Sequence, residues 1–214
     1  MMSVHPLTPI RIIQHNCARS TNVMQSCLNS ATNTADLVLL QEPWIMRETG
    51  TTISHPSFQS IIPRPTAGQR PRVAAFVSRT NIHLRCALRT DISDDPDILA
   101  LDIHSPGIPT TTVLCVYNER SQEEGDQQYT VERALTRIEL PARAIICGDF
   151  NSHHGWWDSA ISNVLRAEGL IRWLAQYECE LINTPDVPTH KYRNGRGASV
   201  IDLAFATPMV YHTI

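Results

Sequence analysis

Cys147-Gly148-Asp149-Phe150-Asn151-Ser152-His153-His154 is the stretch on which the rest of the chain turns. Just before it, Arg143-Ala144-Ile145-Ile146 is a short apolar run with the character of a buried strand. Gly148 lets the backbone turn, and Asp149 and Asn151 can then lean to the same side of an extended or tightly turned segment. A carboxylate and a carboxamide are thereby delivered to the C-terminal edge of a strand, where α/β proteins gather their chemistry. The acid can hold a hard cation or take a proton, and the amide can hydrogen-bond a phosphate oxygen. The plain alternative is a strand ending in an Asp/Asn turn, and this segment alone leaves both readings open.

Upstream, other strands end in the same way. Ile10 to Asn16 reads as a strand leaving Asn16 at its end, and Asp36 to Pro43 as a near-continuous apolar strand that delivers Glu42. Between them, Thr21 to Ser30 has a capping start and helical spacing of Val23, Met24, Cys27 and Leu28. Residues 43 to 72 are rich in Pro, Gly, Thr and Ser and read as loop, with a short strand near Phe58 to Ile62. Arg72 to Ser78 and Ile82 to Leu88 suggest two strands joined at Arg79-Thr80-Asn81, with Arg72 and Arg79 as surface charges and an approach of Arg72 to a substrate groove as the alternative. Ile98 to His104 and Thr110 to Tyr117 are two more, turning at Ser105 to Pro109. Helices are expected over about 126–137 and 162–177, and late strands over 180–183 and 199–205. Trp156, Trp157 and Trp173 are candidates for core or groove wall. Many strands with few, peripheral helices argue one α/β domain over residues 10–214, after a tail at 1–9, with two sheets packed face to face.

Composition narrows the class. A chain of 214 residues suffices for one sizeable core and is short for two. Net charge is −3, so any nucleic-acid binding must come from local patches. The six Cys are scattered without CxxC pairs, which argues reduced thiols and no zinc framework. No apolar run approaches the roughly 20 residues of a membrane span, and no signal core opens the chain. The expectation is an intracellular protein without a membrane partner.

Asn16, Glu42, Tyr117-Asn118, Asp149 with Asn151, and Asp202 each follow or close an apolar strand. If those ends converge, hard oxygen ligands, amide donors and a phenol meet in one place, a set that suits Mg²⁺ bound to a phosphate. Taken singly, each has an ordinary reading: Glu42 a solvated strand end, Tyr117 core, Asn16 a cap, Asp202 the partner of a nearby Arg.

In order along the chain, Gln14-His15-Asn16, Gln41-Glu42, Val116-Tyr117-Asn118, Gly148-Asp149-Phe150-Asn151 and Ser199-Val200-Ile201-Asp202-Leu203 resemble the endonuclease/exonuclease/phosphatase superfamily. Gly148 to His154 followed by Trp156 or Trp157, and Pro188-Thr189-His190 leading to Ser199 through Thr207, resemble the endonuclease domains of LINE-type (non-LTR) retrotransposons. The resemblance spans about residues 10 to 207. It implies a four-layer α/β sandwich, two packed mostly antiparallel sheets flanked by helices, that nicks DNA using Mg²⁺ or Mn²⁺ and is fused in a full element to a reverse transcriptase. It also implies work in the nucleus. By motif, Glu42 would be the main metal ligand with Asn16 in support. Asp149 would orient or deprotonate the attacking water, Asn151 would hold the phosphate, and Tyr117 would lie beside the phosphate or leaving oxygen. Asp202 would position another catalytic group, and Asn118 would lie on the substrate side.

One departure stands against these matches. The family pattern closes with a Ser-Asp-His segment on a last strand, and none occurs in these 214 residues; His212 follows Asp202 too soon and has the wrong neighbours. The expectation is therefore a sandwich lacking its last strand, with chemistry impaired by truncation. The alternative function is a non-catalytic nucleic-acid-binding remnant of the same fold. A small-molecule or lipid phosphatase is a third reading.

His153 and His154 point in different directions in most backbones and lack a third ligand at zinc spacing, so a place beside DNA is the more natural reading. The loop Lys191 to Gly197 is the densest basic patch. Tyr192, Arg193 and Arg196 are expected to meet DNA there, the arginines on phosphates and the ring on a sugar or base, with a solvated hairpin as the ordinary alternative.

Overall fold

The computed structural model describes residues 9–63, 69–121, 127–161, 166–191 and 197–214. Along the chain run β1 (Ile12–Asn16), α1 (Thr21–Ala31), β2 (Leu37–Gln41), β3 (Phe58–Ile61), β4 (Val73–Ser78), β5 (Arg85–Leu88), β6 (Ile98–Ser105) and β7 (Ile108–Tyr117). They are followed by α2 (Thr130–Arg133), a 3₁₀ turn over Leu135–Arg137, β8 (Ala144–Asp149), α3 (Glu168–Gln176), β9 (Glu180–Leu181), β10 (His190–Lys191), β11 (Ala198–Ser199), β12 (Asp202–Ala206) and α4 (Pro208–Tyr211).

The continuous apolar runs are explained by where each side chain goes. Every residue of β2 is buried, because successive side chains leave opposite faces and both faces are covered. Leu37 and Leu39 meet Leu99, Leu101, Val113, Cys115 and Tyr117 between two sheets. Val38 and Leu40 turn the other way, onto Met24 and Leu28 of α1. Strands β6 and β7 do the same from the opposite side. Their remaining positions, Ile98, Ala100, Leu114 and Val116, pack with Val131, Leu170, Trp173 and Leu174 of α2 and α3. The result is the four-layer sandwich expected from the motifs: α1, a sheet of order β1-β2-β4-β3, a sheet of order β5-β6-β7-β8-β12-β9, and the outer helices α2 and α3. Pairings are antiparallel except β1 with β2 and β7 with β8. Among the described strands, β1 is an edge of its sheet, and no described helix is long and apolar enough to cross a membrane.

Four local expectations need correction. The second of the strands joined at Arg79-Thr80-Asn81 starts at Arg85 and not at Ile82, and it lies in the other sheet, so the connection is a crossover. The helix expected to run to Arg137 from about 126 is one turn and a 3₁₀ turn among the described residues. The Thr130 hydroxyl is drawn down to the carbonyl of Tyr117, 2.8 Å away, and fixes the segment to the end of β7. The strand expected over 199–205 breaks into β11 and β12. At the break, the Thr189 hydroxyl accepts from both Ile201 and Asp202 amides, and Ile201 gives its carbonyl to Phe150.

Arg72 is the fourth. Expected at the surface, it is 5% exposed, with its guanidinium against the fully buried Asp97. Asp97 is gripped again by Arg133, whose other partner is Asp95. Removing the charge of Asp97 leaves two enclosed guanidiniums short of a partner, and such losses run to about 3–5 kcal/mol. Asp97→Asn keeps one acceptor, so a loss of about 3 kcal/mol is expected from the urea midpoint at unchanged slope.

Candidate active site

Strand register, more than any single loop, assembles the site. Parallel pairing sets Asn16 level with Gln41, so β1 and β2 finish together and Glu42 comes next. Parallel pairing likewise sets Tyr117 beside Asp149, and the antiparallel β12 begins with Asp202 directly opposite Asp149. Five of the expected residues, contributed by both sheets, therefore open onto one cleft of about 530 Å³. Asn151 and His153 line it too, as do Glu119, Arg166, His190 and Ser199.

Asp149 is its hub. Asn16 donates through Nδ2 to Oδ2 at 2.8 Å, and the Asn151 amide donates to Oδ1 at 3.1 Å. Burial and the neighbouring carboxylates of Asp202 and Glu42 oppose those donors and push the Asp149 carboxyl up to about 7. Burial also raises Asp202, against lowering contributions from Thr189, His190 and His15. The Tyr117 phenol is pushed up by burial and then by Glu42, Glu119 and Asp149, so it remains a proton donor at neutral pH. Arg72 lies under its ring, 5.3 Å from the centroid.

The backbone is strained where these groups are held. Of the eight non-glycine residues with positive φ among those described, Ala18, Arg19, Glu42, Asn151 and Arg166 all line this cleft or the one beside it. Such conformations cost about 1–3 kcal/mol each and persist only where surroundings enforce them. Glu42 is enforced by its amide bond to the Arg72 carbonyl and by accepting from the Arg19 amide, both 2.8 Å.

Other expected residues stand differently. Asn118 is fully buried: it donates to the Phe150 carbonyl and accepts from the Val131 amide, bracing β7 to the Asp149 turn without lining the cleft. His154 accepts from the Trp156 amide and packs on Trp157, so it too is absent from the lining. Trp157 and Trp173 are core, as expected. His212 ends α4 against Tyr211, away from the cleft lining. Tyr192, Arg193 and Arg196 lie outside the described residues. Glu119 and Arg166 carried no motif, and only the fold brings them in.

Among the described residues, no group of three or more His, Cys, Asp or Glu side chains forms a metal cage. A Mg²⁺ site does not require one: one or two carboxylates, waters and substrate phosphate oxygens suffice. The donor set here is hard oxygen, from Glu42, Asp149, Asp202 and Asn16. The Glu42 carboxylate already draws a cation, the Arg19 guanidinium, to 3.2 Å. These residues fit a hard divalent ion.

No curated protein matches the sequence. Residues 111–213 match the family described as Endonuclease-reverse transcriptase. The chain has the fold of endonuclease/exonuclease/phosphatase-type domains. It superposes on the endonuclease domain of TRAS1, a telomere-specific non-LTR retrotransposon, with a TM-score of 0.71 and 21% identity, over 95% of this chain and 87% of that one. An AP endonuclease from Leishmania major matches with a TM-score of 0.61 and 12% identity, over 93% and 79% of the two chains. A mannosyl-6-phosphatase from Bacteroides thetaiotaomicron, Bt3783, matches at 0.51 and 12%, over 93% and 85%. At these identities the likeness is one of fold, a nuclease and phosphoesterase fold, and the choice of substrate has to be argued from residues.

Proposed function

We propose that this domain is a divalent-metal-dependent phosphodiesterase that nicks DNA, as the endonuclease of a retrotransposon-type protein whose fuller form also carries a reverse transcriptase. The observation that carries the reading is the convergence of Asn16, Glu42, Tyr117, Asp149 and Asp202 on one cleft. It is supported by the family match over residues 111–213. The Gly148-to-His154 and Pro188-Thr189-His190 segments favour a nuclease over a phosphatase, and the working compartment would be the nucleus.

Glu42, supported by Asn16, would hold Mg²⁺ or Mn²⁺, which supplies charge stabilisation for the phosphate oxygens as negative charge builds up on them. Asp149, fixed by Asn16 and the Asn151 amide, aligns a water and takes its proton. Burial and the facing Asp202 raise this carboxyl above the ordinary range, which favours its taking a proton. Asn151 spends one side-chain hydrogen on the Asn118 carbonyl at 3.3 Å and keeps the other for a phosphate oxygen. Tyr117, held as a phenol, donates to the phosphate or the leaving oxygen. Asp202, facing Asp149 across the strand pair, sustains the raised carboxyl.

The test is conversion of supercoiled plasmid to nicked circles with Mg²⁺ and with EDTA. Nicking only with the metal is the expected result. A folded protein that binds DNA yet leaves the plasmid intact would turn the assignment to the second reading, a binding module of this fold.

A further inference from the structure

A second cleft, of about 670 Å³, adjoins the catalytic one. Arg19, Arg47, Arg70, Arg72 and Arg120 line it, and Glu42 is the one acid among its described lining residues. We infer that this cleft seats backbone phosphates of the DNA strand to one side of the scissile bond, with Arg47 and Arg70 as the groups that grip them. The inference rests on the nuclease reading above.

Continuity is the first argument. Glu42 lines both clefts, so a polyanion with one phosphate at Asp149 runs past Glu42 straight into the arginines. A duplex strand carries a charge about every 3.4 Å along its axis, so neighbouring phosphates must be met as well as the scissile one. Charge is the second. Arg72 is neutralised by Asp97, and Arg19 is paired with Glu42. Among the described residues, Arg47, Arg70 and Arg120 form no ion pair. On a chain of net charge −3, this is a local positive field opening beside an acidic catalytic cleft.

Preorganisation is the third argument. Arg70 is half-buried and donates to the Ile45 carbonyl, which fixes its fork before any ligand arrives. Arg120 is steadied by the Tyr129 hydroxyl and by Gln127, each at 3.1 Å, neither of which cancels its charge. Guanidinium groups held in this way match phosphate oxygens two at a time. An ordinary solvated arginine surface would show neither the backbone anchor nor the shared wall with the catalytic cleft.

The test is anisotropy of a short fluorescein-labelled DNA duplex in EDTA over a salt series, with metal-dependent nicking measured in parallel. Arg47→Gln with Arg70→Gln should weaken binding roughly tenfold or more and flatten the salt slope by about 2. Arg47→Gln alone, at an exposed side chain, should flatten it by about 1 and covers the case in which the double variant folds poorly. A charge-matched control, Arg137→Gln with Arg172→Gln at exposed positions, should change the slope little, and Arg47→Lys with Arg70→Lys should keep most of it. Equal losses in the cleft and control pairs overturn the inference, since net charge alone would then explain them. Wild-type binding and nicking that the cleft pair leaves unchanged overturns the cleft but spares the nuclease. A wild type that neither binds nor nicks DNA overturns the nuclease reading, and the cleft falls with it.

Discussion

Asp149→Asn should abolish metal-dependent nicking, by about 10²- to 10⁴-fold, while leaving the fold standing. The substitution keeps the shape of the side chain and removes its capacity to take a proton. What it loses structurally is one acceptor. Asn16 and the Asn151 amide both donate to the present carboxylate, and a carboxamide can satisfy only one of them through its oxygen, at a cost of about 1–3 kcal/mol. What it gains is relief from burying a charge and from setting it opposite Asp202, the two largest causes that push Asp149 up to about 7. The two effects offset, so thermal unfolding should move by only a few degrees (about 2–4 °C per kcal/mol for a chain of this size). Nicking within tenfold of wild type would show that another group takes the proton, and His153, on the same cleft, would be the first to examine.

The pair of effects is informative because positions at which activity and stability part company are those shaped for chemistry. Asn118 shows the contrast. It looks like a site residue in the sequence, yet its side chain is wholly buried between Phe150 and Val131. The Val-Tyr-Asn motif mixes a residue that faces the cleft with one that props the strand end behind it.

That contrast also marks how far the sequence could be read. Strand ends are legible where a strand is buried up to its C-terminal end, as β2, β7 and β8 are, because a polar residue there is conspicuous. Glu42, Tyr117 and Asp149 stand out in that way, Asn16 closes a half-exposed strand and Asp202 opens one, and register brings the five together. Arg72 reads as a surface charge for the converse reason. An arginine beside an apolar run reads as surface, and its burial depends on Asp97, a partner 25 residues on with no local signal. Glu119 and Arg166 reach the cleft only through the paths of the chain after β7 and before α3. The break between β11 and β12 is set by one hydroxyl, Thr189, accepting two amides from across the turn. Pattern cannot reveal such a contact, since Ser199 to Phe205 is uniformly strand-like in composition.

Gly148→Ala should damage the fold severely, and it should remove activity with it. Gly148 lies level with Val116 in the parallel β7–β8 pair. A Cβ built there would come within 1.9 Å of the Val116 carbonyl oxygen, with the Val116 carbonyl carbon at 2.7 Å and nitrogen at 2.9 Å. All three are backbone atoms in the middle of the larger sheet, so no rotamer change relieves the clash and the strands themselves must part. Ordinary overpacking of a core costs about 1–3 kcal/mol; a collision with backbone at this range should exceed it, at about 4–5 kcal/mol. Unfolding should then fall by roughly 10–15 °C. The displaced residues are next in line on both strands: Tyr117 follows Val116, Asp149 follows Gly148, and these two are register partners. The Gly148 carbonyl also takes the Gln14 side chain at 3.3 Å, a tie to β1 and hence to Asn16. Any folded fraction should therefore nick at least about 100-fold more slowly, because a misplacement of about 1 Å in a reacting constellation has a cost of that order. Thermal melting and the plasmid assay on the same preparation check both halves. If the variant melts like wild type, β7 and β8 are not packed as tightly as these distances require, and the close approach of Tyr117 to Asp149 would fall with them.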